Sequence, residues 1–279
     1  MSDHPPVEVL GVRFDNLTRA EAARVIVALA RAEGKHYVVK PYSEFLPRAH
    51  RDAALRGILN GSNLCLADGV GILWAAHYLS LPGGRLRALV QLKLSLASLF
   101  LRPGAIRRPL RQPMRGVDLT WEMLAEAERA GLSVYLLGGT SEEVSGAAAR
   151  IAERHPSLKL AGHRDGYFKR KGPQNEAVIE AINAASPDLL LVAMGYPRQE
   201  QWIAANLERL NVRVAVAEGG SFSFISGATR RAPGWMRRSG LEWLFRLLRQ
   251  PSRLRRQLAL PAFVVLVVRE RLGRAKQTD

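Results

Sequence analysis

Short apolar runs alternate with amphipathic helical patterns along most of this chain, and this alternation constrains the fold more than any other feature. Strands that alternate with helices are typical of a parallel sheet, because parallel neighbours need a helix-length crossover. The sequence therefore predicts an α/β fold, a Rossmann-like, mainly parallel sheet with helices on both faces. The runs that predict strands are His36–Val39, Leu64–Ala67, Ser133–Leu137, Leu158–Ala161, Asp188–Ala193 and Val212–Ala217.

The starts of three helices are predicted from residues that cap helices. A Ser or Thr followed three residues later by Glu can form a capping box. Two such pairs occur, Thr18 with Glu21 and Thr140 with Glu143. Asp118 is predicted to cap a third helix, Leu119–Ala130.

The charge of the chain is strongly positive and unevenly distributed. The sequence holds 41 Lys and Arg residues against 25 Asp and Glu residues, a net charge of +16. Residues 85–115 contain eight bases and no acid, and residues 227–279 contain thirteen bases and three acids, so the rest of the chain is close to neutral. Two basic segments on a neutral body predict an anionic partner, either a membrane or nucleic acid.

The domain organisation follows from where this charge lies. Residues 1–227 are expected to form the α/β core, interrupted at about 81–115 by a basic, apolar insertion that contains one helix. Residues 228–279 are expected to form a basic helical appendage that associates with a membrane. Its Trp, Leu and Phe residues alternate with arginines, as in helices that lie in a bilayer interface, although a solvated basic tail has similar charge.

Two apolar runs are candidates for membrane segments. They are Ala88–Leu101, interrupted by two polar residues, and Leu258–Val268, interrupted by a proline. Both fall short of the about 18 apolar residues that a spanning helix needs. Both are therefore expected to form helices that lie on a bilayer.

One carboxylate stands where a catalytic group is expected in such a sheet. Asp68 directly follows the apolar run Leu64–Ala67 and is followed by Gly69 and Gly71. Ligands of open α/β sheets bind beyond the carboxyl ends of the strands. Asp68 is therefore a candidate general base. The alternative is that it only caps the next helix.

Three further strands are followed by glycines, and together these segments predict a nucleotide site. Glycine lets backbone N–H groups approach a phosphate, and a helix N-terminus favours an anion. The candidate residues are Gly138, Gly139 and Thr140 after one strand, Gly195, Gln199 and Glu200 after the next, and Gly219 after the last. The alternatives are plain strand–helix turns and, for the amide and carboxylate, a solvated first helical turn. Tyr167 is a candidate for stacking on a ligand or, alternatively, a core tyrosine.

Other kinds of site are not suggested by the sequence. The six histidines form no ligand cluster, and a single cysteine, Cys65, provides neither a disulfide framework nor a zinc cluster. The glycine spacing of a Walker loop or of a dinucleotide-binding Rossmann motif is absent, which argues against an oxidoreductase. No Asp-x-Asp pair is present to hold a divalent ion on a diphosphate. No metal and no cofactor are therefore expected.

Taken in order, these motifs resemble the WecG/TagA/CpsF-type glycosyltransferases (glycosyltransferase family 26). The resemblance covers roughly residues 8–257, broken at 81–115. The matching blocks are Ala67–Gly71, Gly116–Leu119, Gly138–Thr140, Gly195–Trp202, Gly219–Phe222, Arg231–Pro233 and Gly240–Leu247.

The resemblance implies a specific reaction. It is the inverting, metal-independent transfer of a sugar from a UDP-sugar to an undecaprenyl-diphosphate-linked saccharide in cell-envelope or exopolysaccharide biosynthesis. The donor sugar is typically N-acetylmannosamine or its uronic acid. The resemblance also implies a peripheral protein on the cytoplasmic face of the bacterial cell membrane, with no nucleic-acid partner. The alternative is a non-catalytic protein that uses the basic tail to bind a membrane or nucleic acid.

The resemblance assigns roles to individual residues. Asp68 aligns with the catalytic base, and UDP contacts are implied near Gly138–Thr140, Tyr167 and Gln199. The arginines implied to bind the acceptor diphosphate and to dock on the membrane are Arg246, Arg253 and Arg256.

Three departures from the family's usual pattern concern the substrates. Lys40 and Tyr42 stand where threonine and asparagine are usual, which makes them candidate sugar contacts, and Ser223 replaces an aspartate expected near the nucleotide. These changes leave the identity of the donor sugar open. The insertion at 81–115 is longer and more basic than usual, which suggests a second membrane contact beside the acceptor entrance. The sequence makes no prediction of the oligomeric state.

Overall fold

A computed structural model describes residues 4–101, 104–234, 236, 245, 247–248 and 258–275. Its strands are β1 (Val7–Val9), β2 (Val12–Phe14), β3 (His36–Val39), β4 (Leu64–Cys65), β5 (Ser133–Gly138), β6 (Lys159–Arg164), β7 (Leu189–Ala193) and β8 (Val214–Ala217). The central sheet has six strands in the order β4-β3-β8-β7-β5-β6, and every neighbouring pair is parallel. The predicted parallel α/β sheet is confirmed.

Helices cover both faces of this sheet. They are α1 (Arg19–Arg31), α2 (Leu46–Arg51), α3 (Ala53–Asn60), α4 (Val70–Ser80), α5 (Arg85–Leu101), α6 (Gly116–Ala130), α7 (Ser141–Arg154), α8 (Pro173–Ala185), α9 (Arg198–Asn206), α10 (Ser221–Ile225) and α11 (Ala259–Ala275). Helices α1, α6, α7 and α10 pack on one face, and α2, α3, α4, α8, α9 and α11 pack on the other. The helix predicted within the insertion is α5.

The sheet supplies the centre of two apolar clusters. Successive strand residues point to opposite faces, so that Val38 lies in one cluster and Val39 in the other, as do Leu191 and Val192. Strands β7 and β8 are buried along their whole length. Near-continuous apolar strands of this kind are typical of parallel sheets with helices on both faces.

The local capping predictions are mostly confirmed. The two predicted capping boxes form at the starts of α1 and α7. The prediction that Asp118 caps a helix is wrong, because α6 begins earlier, at Gly116, and Asp118 lies in its first turn. There its carboxylate accepts a hydrogen bond of 2.7 Å from Arg231 Nη1 and one of 3.3 Å from Arg19 Nη1. Burial tends to raise the pKa of Asp118, but these arginines outweigh it and the pKa is lowered.

The hairpin of β1 and β2 was not predicted from the sequence. Its two strands pair in antiparallel fashion and have three residues each. Strands this short show too few alternations to be recognised from hydrophobic period alone. The turn between them is held to the far end of the chain, because the backbone N–H of Leu10 donates to Glu270 Oε2 at 3.0 Å.

The last described helix, α11, packs against the core. Phe263 and Val267 are fully buried in the same cluster as Trp74, whose ring lies 6.1 Å from that of Phe263. Arg271 is also buried and donates to the carbonyl oxygens of Leu81 and Gly83. The run Leu258–Val268, which was expected to lie on a bilayer, therefore has one face covered by the core.

The predicted boundary at residue 227/228 and the membrane association of residues 228–279 stay predictions. None of the helices in the described part of the chain is both long enough and apolar enough to span a bilayer.

We expect the substitution Phe263→Ala to lower the free energy of unfolding by about 3–5 kcal/mol, because it leaves a cavity in the core. Val265→Ala on the same helix is the control, since Val265 is 49% exposed, and should cost less than about 1 kcal/mol. Urea unfolding followed by circular dichroism measures both. Equal losses in the two variants would contradict the packing of α11 on the core.

Candidate functional site

A cavity of about 330 Å³ lies at the carboxyl edge of the parallel sheet. This is where open α/β sheets bind their ligands. Each of the six parallel strands contributes a lining residue at or after its carboxyl end. In chain order these are Lys40, Asp68, Gly139, Tyr167, Gly195 and Gly219.

The cavity brings together most of the residues predicted from the sequence. Asp68, Lys40, Tyr42, Gly139, Tyr167, Gly195, Gln199 and Gly219 all line it. Gly138, Thr140 and Glu200 are chain neighbours of lining residues but do not line this cavity themselves. Arg246, Arg253 and Arg256 lie outside the described residues. The roles assigned to all these residues stay predictions.

Asp68 is buried in the cavity wall, between the end of β4 and the start of α6. Its backbone N–H donates to the carbonyl oxygen of Pro41 at 3.3 Å. A side chain at Gly116 would have its Cβ 3.3 Å from Asp68 Oδ2, so the glycine lets α6 begin close against the carboxylate. Helix α4 begins at Val70, and its N-cap residue is Gly69. Asp68 therefore lies one residue before the N-cap position, whereas the alternative interpretation had placed it at that position.

A buried ion pair forms another part of the wall. Lys40 Nζ lies 2.8 Å from Glu218 Oε1, and both side chains are almost completely buried. The hydroxyl oxygen of Thr120 lies 2.6 Å from the other carboxylate oxygen of Glu218. Buried charges need such partners to offset the loss of hydration. Glu218 was not among the residues predicted from the sequence. Lys40 directly follows β3 and Glu218 directly follows β8, and these two strands are neighbours in the sheet.

Gln199 joins two of the predicted glycine segments. Its side-chain oxygen accepts hydrogen bonds from the backbone N–H groups of Gly195, at 3.1 Å, and Gly219, at 3.0 Å. Its side-chain nitrogen donates to Glu200 Oε1 at 2.9 Å. Both side chains are buried, so the alternative of a solvated first helical turn is wrong. Gln199 positions the loops after β7 and β8 relative to each other.

The glycines after β5 permit a close approach to β7. Gly138 has a φ of +135°, and a Cβ at this position would lie 2.4 Å from the carbonyl oxygen of Ala193. The backbone N–H of Gly139 donates to that same oxygen at 3.0 Å. The N–H of Thr140 donates to Glu143 Oε2 at 3.0 Å in the capping box. A phosphate at the start of α7 would therefore have to displace the Glu143 carboxylate.

Aromatic side chains form the remaining wall. Phe45 stacks on Tyr196 with ring centroids 3.8 Å apart, and Tyr42 lies 4.9 Å from Phe45. Tyr167 is 79% exposed at the cavity, so the alternative of a core tyrosine is wrong. Aromatic faces of this kind suit a base or the apolar face of a sugar. Phe45 and Tyr196 were not predicted as site residues. The feature that could have identified them is an aromatic residue shortly after a predicted strand.

The sequence also matches a known protein family. Residues 7–102 and 94–277 match the sequence profile of the glycosyl transferase WecG/TagA/CpsF family. The chain belongs to this family. The predicted family and the predicted class of enzyme, a glycosyltransferase, are confirmed.

Two relatives of this glycosyltransferase carry the name N-acetylglucosaminyldiphosphoundecaprenol N-acetyl-beta-D-mannosaminyltransferase. One, from Bacillus subtilis (strain 168), is 28% identical over 244 residues, which are 85% of this chain and 83% of that protein. The other, from Staphylococcus aureus (strain MW2), is 27% identical over 270 residues, 96% of this chain and 94% of that protein.

The described part of the glycosyltransferase contains no group of three or more His, Cys, Asp or Glu side chains arranged to hold a metal ion. It does contain one carboxyl group with a strongly shifted pKa beside the cavity, that of Glu200.

Burial raises the pKa of Glu200 to about 7, although the hydrogen bond from Gln199 partly opposes this shift. Glu200 Oε2 has no hydrogen-bond partner among the described residues.

We expect Glu200→Gln to remove a pH dependence of stability. The pKa of Glu200 is about 7 in the folded protein against an ordinary value of 4.5, so the folded state binds an extra proton between these values. The free energy of unfolding of the wild type should therefore fall as the pH rises from about 4.5 to about 8, by about 3 kcal/mol at most. Glutamine keeps the oxygen that accepts from Gln199 and does not titrate.

Urea unfolding at pH 5 and at pH 8 tests this expectation. Glu180→Gln, which removes an exposed carboxylate of α8, is the control and should keep the wild-type difference between the two pH values. A Glu200→Gln variant with the wild-type difference would contradict the assigned pKa.

Proposed function

We propose that this glycosyltransferase transfers a hexose, either N-acetylmannosamine, its uronic acid or a related sugar, from a UDP-sugar to an undecaprenyl-diphosphate-linked saccharide. The product would serve cell-envelope or exopolysaccharide biosynthesis. The observation that carries the proposal is Asp68, a buried carboxylate in a cavity lined by residues that follow each of the six parallel strands. The names of the two relatives, which specify an N-acetylmannosaminyl group and an undecaprenol-linked acceptor, support it.

In the proposed mechanism, Asp68 is the general base. It takes the proton from the acceptor hydroxyl while that oxygen attacks the anomeric carbon of the donor sugar. The bond from the anomeric carbon to the UDP oxygen breaks on the opposite face, so the configuration inverts and UDP leaves with its bonding electrons. A positioned general base contributes about 10²–10⁴-fold to such a reaction.

The departing diphosphate needs positive charge or N–H donors close by. Among the described residues that line the cavity, Lys40 is the only cation, and its charge is paired with Glu218. Asp68 and Glu143 add negative charge to the same wall. We therefore assign the neutralisation of the diphosphate to arginines of residues 235–257, of which Arg246, Arg253 and Arg256 are the candidates.

The proposed acceptor is a lipid, so the reaction takes place at a membrane. The net charge of +16 favours an anionic surface. We place the enzyme on the cytoplasmic face of the cell membrane as a peripheral protein, where nucleotide-activated sugars are made. No metal is part of the proposed mechanism.

We expect turnover with one member of a panel of UDP-sugars when a polyprenyl-diphosphate-linked N-acetylglucosamine acceptor and vesicles are present. Release of UDP is measured with and without EDTA, and we expect equal rates because Asp68 and the protein's own cations supply the chemistry. Release that does not require the acceptor would indicate hydrolysis and contradict the transfer. Absence of both UDP binding and turnover would favour a non-catalytic, membrane-binding role.

We expect Asp68→Asn to lower kcat by about 10²–10⁴-fold, because the amide cannot take the acceptor proton. The affinity for UDP, measured by calorimetry, should not fall, since the change is nearly isosteric and removes a negative charge from the cavity wall. Glu180→Gln is again the control and should keep the wild-type kcat. Wild-type turnover by Asp68→Asn would exclude Asp68 as the base.

A further inference from the structure

Within the described part of the chain, helix α5 is attached to the rest of the protein by one face. The hydroxyl of Tyr78 donates to the carbonyl oxygen of Ala88 at 3.1 Å, and the indole N–H of Trp74 donates to Ser95 Oγ at 3.1 Å. Ala88 and Ser95 are buried. Trp74 and Tyr78 belong to α4, so α4 holds the inner face of α5 through two specific side chains.

The outer face of α5 is apolar and exposed. Its large side chains are between 48% and 85% exposed, namely Leu86, Leu89, Val90, Leu94 and Leu101. Residues three or four apart share one side of a helix, so these side chains form one continuous stripe. Soluble proteins rarely expose a continuous apolar surface unless it binds a partner.

Basic side chains accompany this stripe. Arg85 and Arg87 precede and follow Leu86, and Lys93 lies beside Leu94; all three are exposed. Residues 81–115 contain no Asp or Glu. Long basic side chains can lay their apolar stems along such a surface while the charge reaches the anionic headgroups. An apolar stripe with basic neighbours and no acid is typical of helices that lie in an anionic bilayer interface.

We propose that the outer face of α5 docks on an anionic lipid bilayer, with the leucines and valine in the acyl boundary and the basic residues among the headgroups. The proposal deepens the proposed function and rests on it in one respect, since a lipid-linked acceptor brings the enzyme to a bilayer. All residues of this surface lie within the described part of the chain.

The docking face is rigidly connected to the proposed base. Helix α4, which carries α5, begins two residues after Asp68. Arg271 of α11 donates to the carbonyl oxygens of Leu81 and Gly83 and so fixes the connection between α4 and α5. A bilayer bound to α5 would therefore lie at a set distance from Asp68. This arrangement suits an acceptor whose lipid stays in the bilayer while its sugar enters the cavity.

The first test is flotation of the full-length protein with vesicles of phosphatidylglycerol and phosphatidylcholine. We expect Leu86→Glu with Leu94→Glu to weaken binding by about tenfold or more, because two carboxylates replace exposed apolar side chains. The matched control is Ala149→Glu with Ala152→Glu on α7, which makes the same charge change at exposed positions and should bind like the wild type. Equal thermal stabilities show that both variants fold.

A second pair of substitutions separates the charge from the apolar stripe. Arg87→Gln with Lys93→Gln should weaken binding to the anionic vesicles by about tenfold, and added salt should reduce this difference. Binding to pure phosphatidylcholine vesicles should not change. Loss on both kinds of vesicle would mean that the basic residues do not meet anionic headgroups, which would overturn this part of the proposal.

Two outcomes overturn the proposal. In one, the Leu86→Glu, Leu94→Glu variant floats with vesicles like its α7 control. In the other, the wild type forms a dimer in solution that this variant dissociates, with vesicle binding unchanged, so that the stripe is an interface between two copies.

Turnover distinguishes failure of the docking proposal from failure of the proposed function. With a short-chain acceptor in solution, the Leu86→Glu, Leu94→Glu variant should keep the wild-type rate, and with a long-chain acceptor in vesicles it should lose about tenfold. If neither protein transfers sugar to any acceptor, the proposed function fails, while flotation still decides whether α5 docks on lipid.

Discussion

The site depends on one constraint, the burial of a parallel sheet on both faces. The inner strands β7 and β8 are apolar along their whole length, because helices cover them above and below. Polar groups that reach the sheet from such strands do so where the strands end, and in a parallel sheet all carboxyl ends meet at the same edge. Asp68, Lys40, Glu218 and Gln199 reach one cavity for this reason, although they are far apart in the chain.

Features that depend on neighbours in the chain could be predicted from the sequence. The two capping boxes and the central strands are of this kind, and so is the position of Asp68 at a strand end. Features that depend on strand order could not. The Lys40–Glu218 ion pair requires β3 and β8 to be adjacent, and nothing local in either segment reveals this adjacency. The contact between Asp118 and Arg231 could not be predicted either, because the two residues are distant in sequence.

Helix α5 in the insertion and the last described helix, α11, show a second limit of prediction from sequence. Both α5 and α11 have 17 residues and lack acidic residues in their first turn. Yet α11 buries Phe263 and Val267 in the core, whereas the apolar stripe of α5 is left uncovered by the described residues. An apolar composition predicts that one face of a helix is shielded from water. Only the packing of the neighbouring helices shows whether the protein itself covers that face.

The side-chain amide of Gln199 has a consequence for how the cavity can change shape. Its oxygen holds two backbone N–H groups from different loops, and reversing the amide would place donors against both of them. The orientation of the amide is therefore fixed. Moving either loop away from Gln199 breaks the hydrogen bond between that loop and the amide oxygen, which also holds the other loop. The loops after β7 and β8 should therefore shift together, rather than separately, when a ligand occupies the cavity.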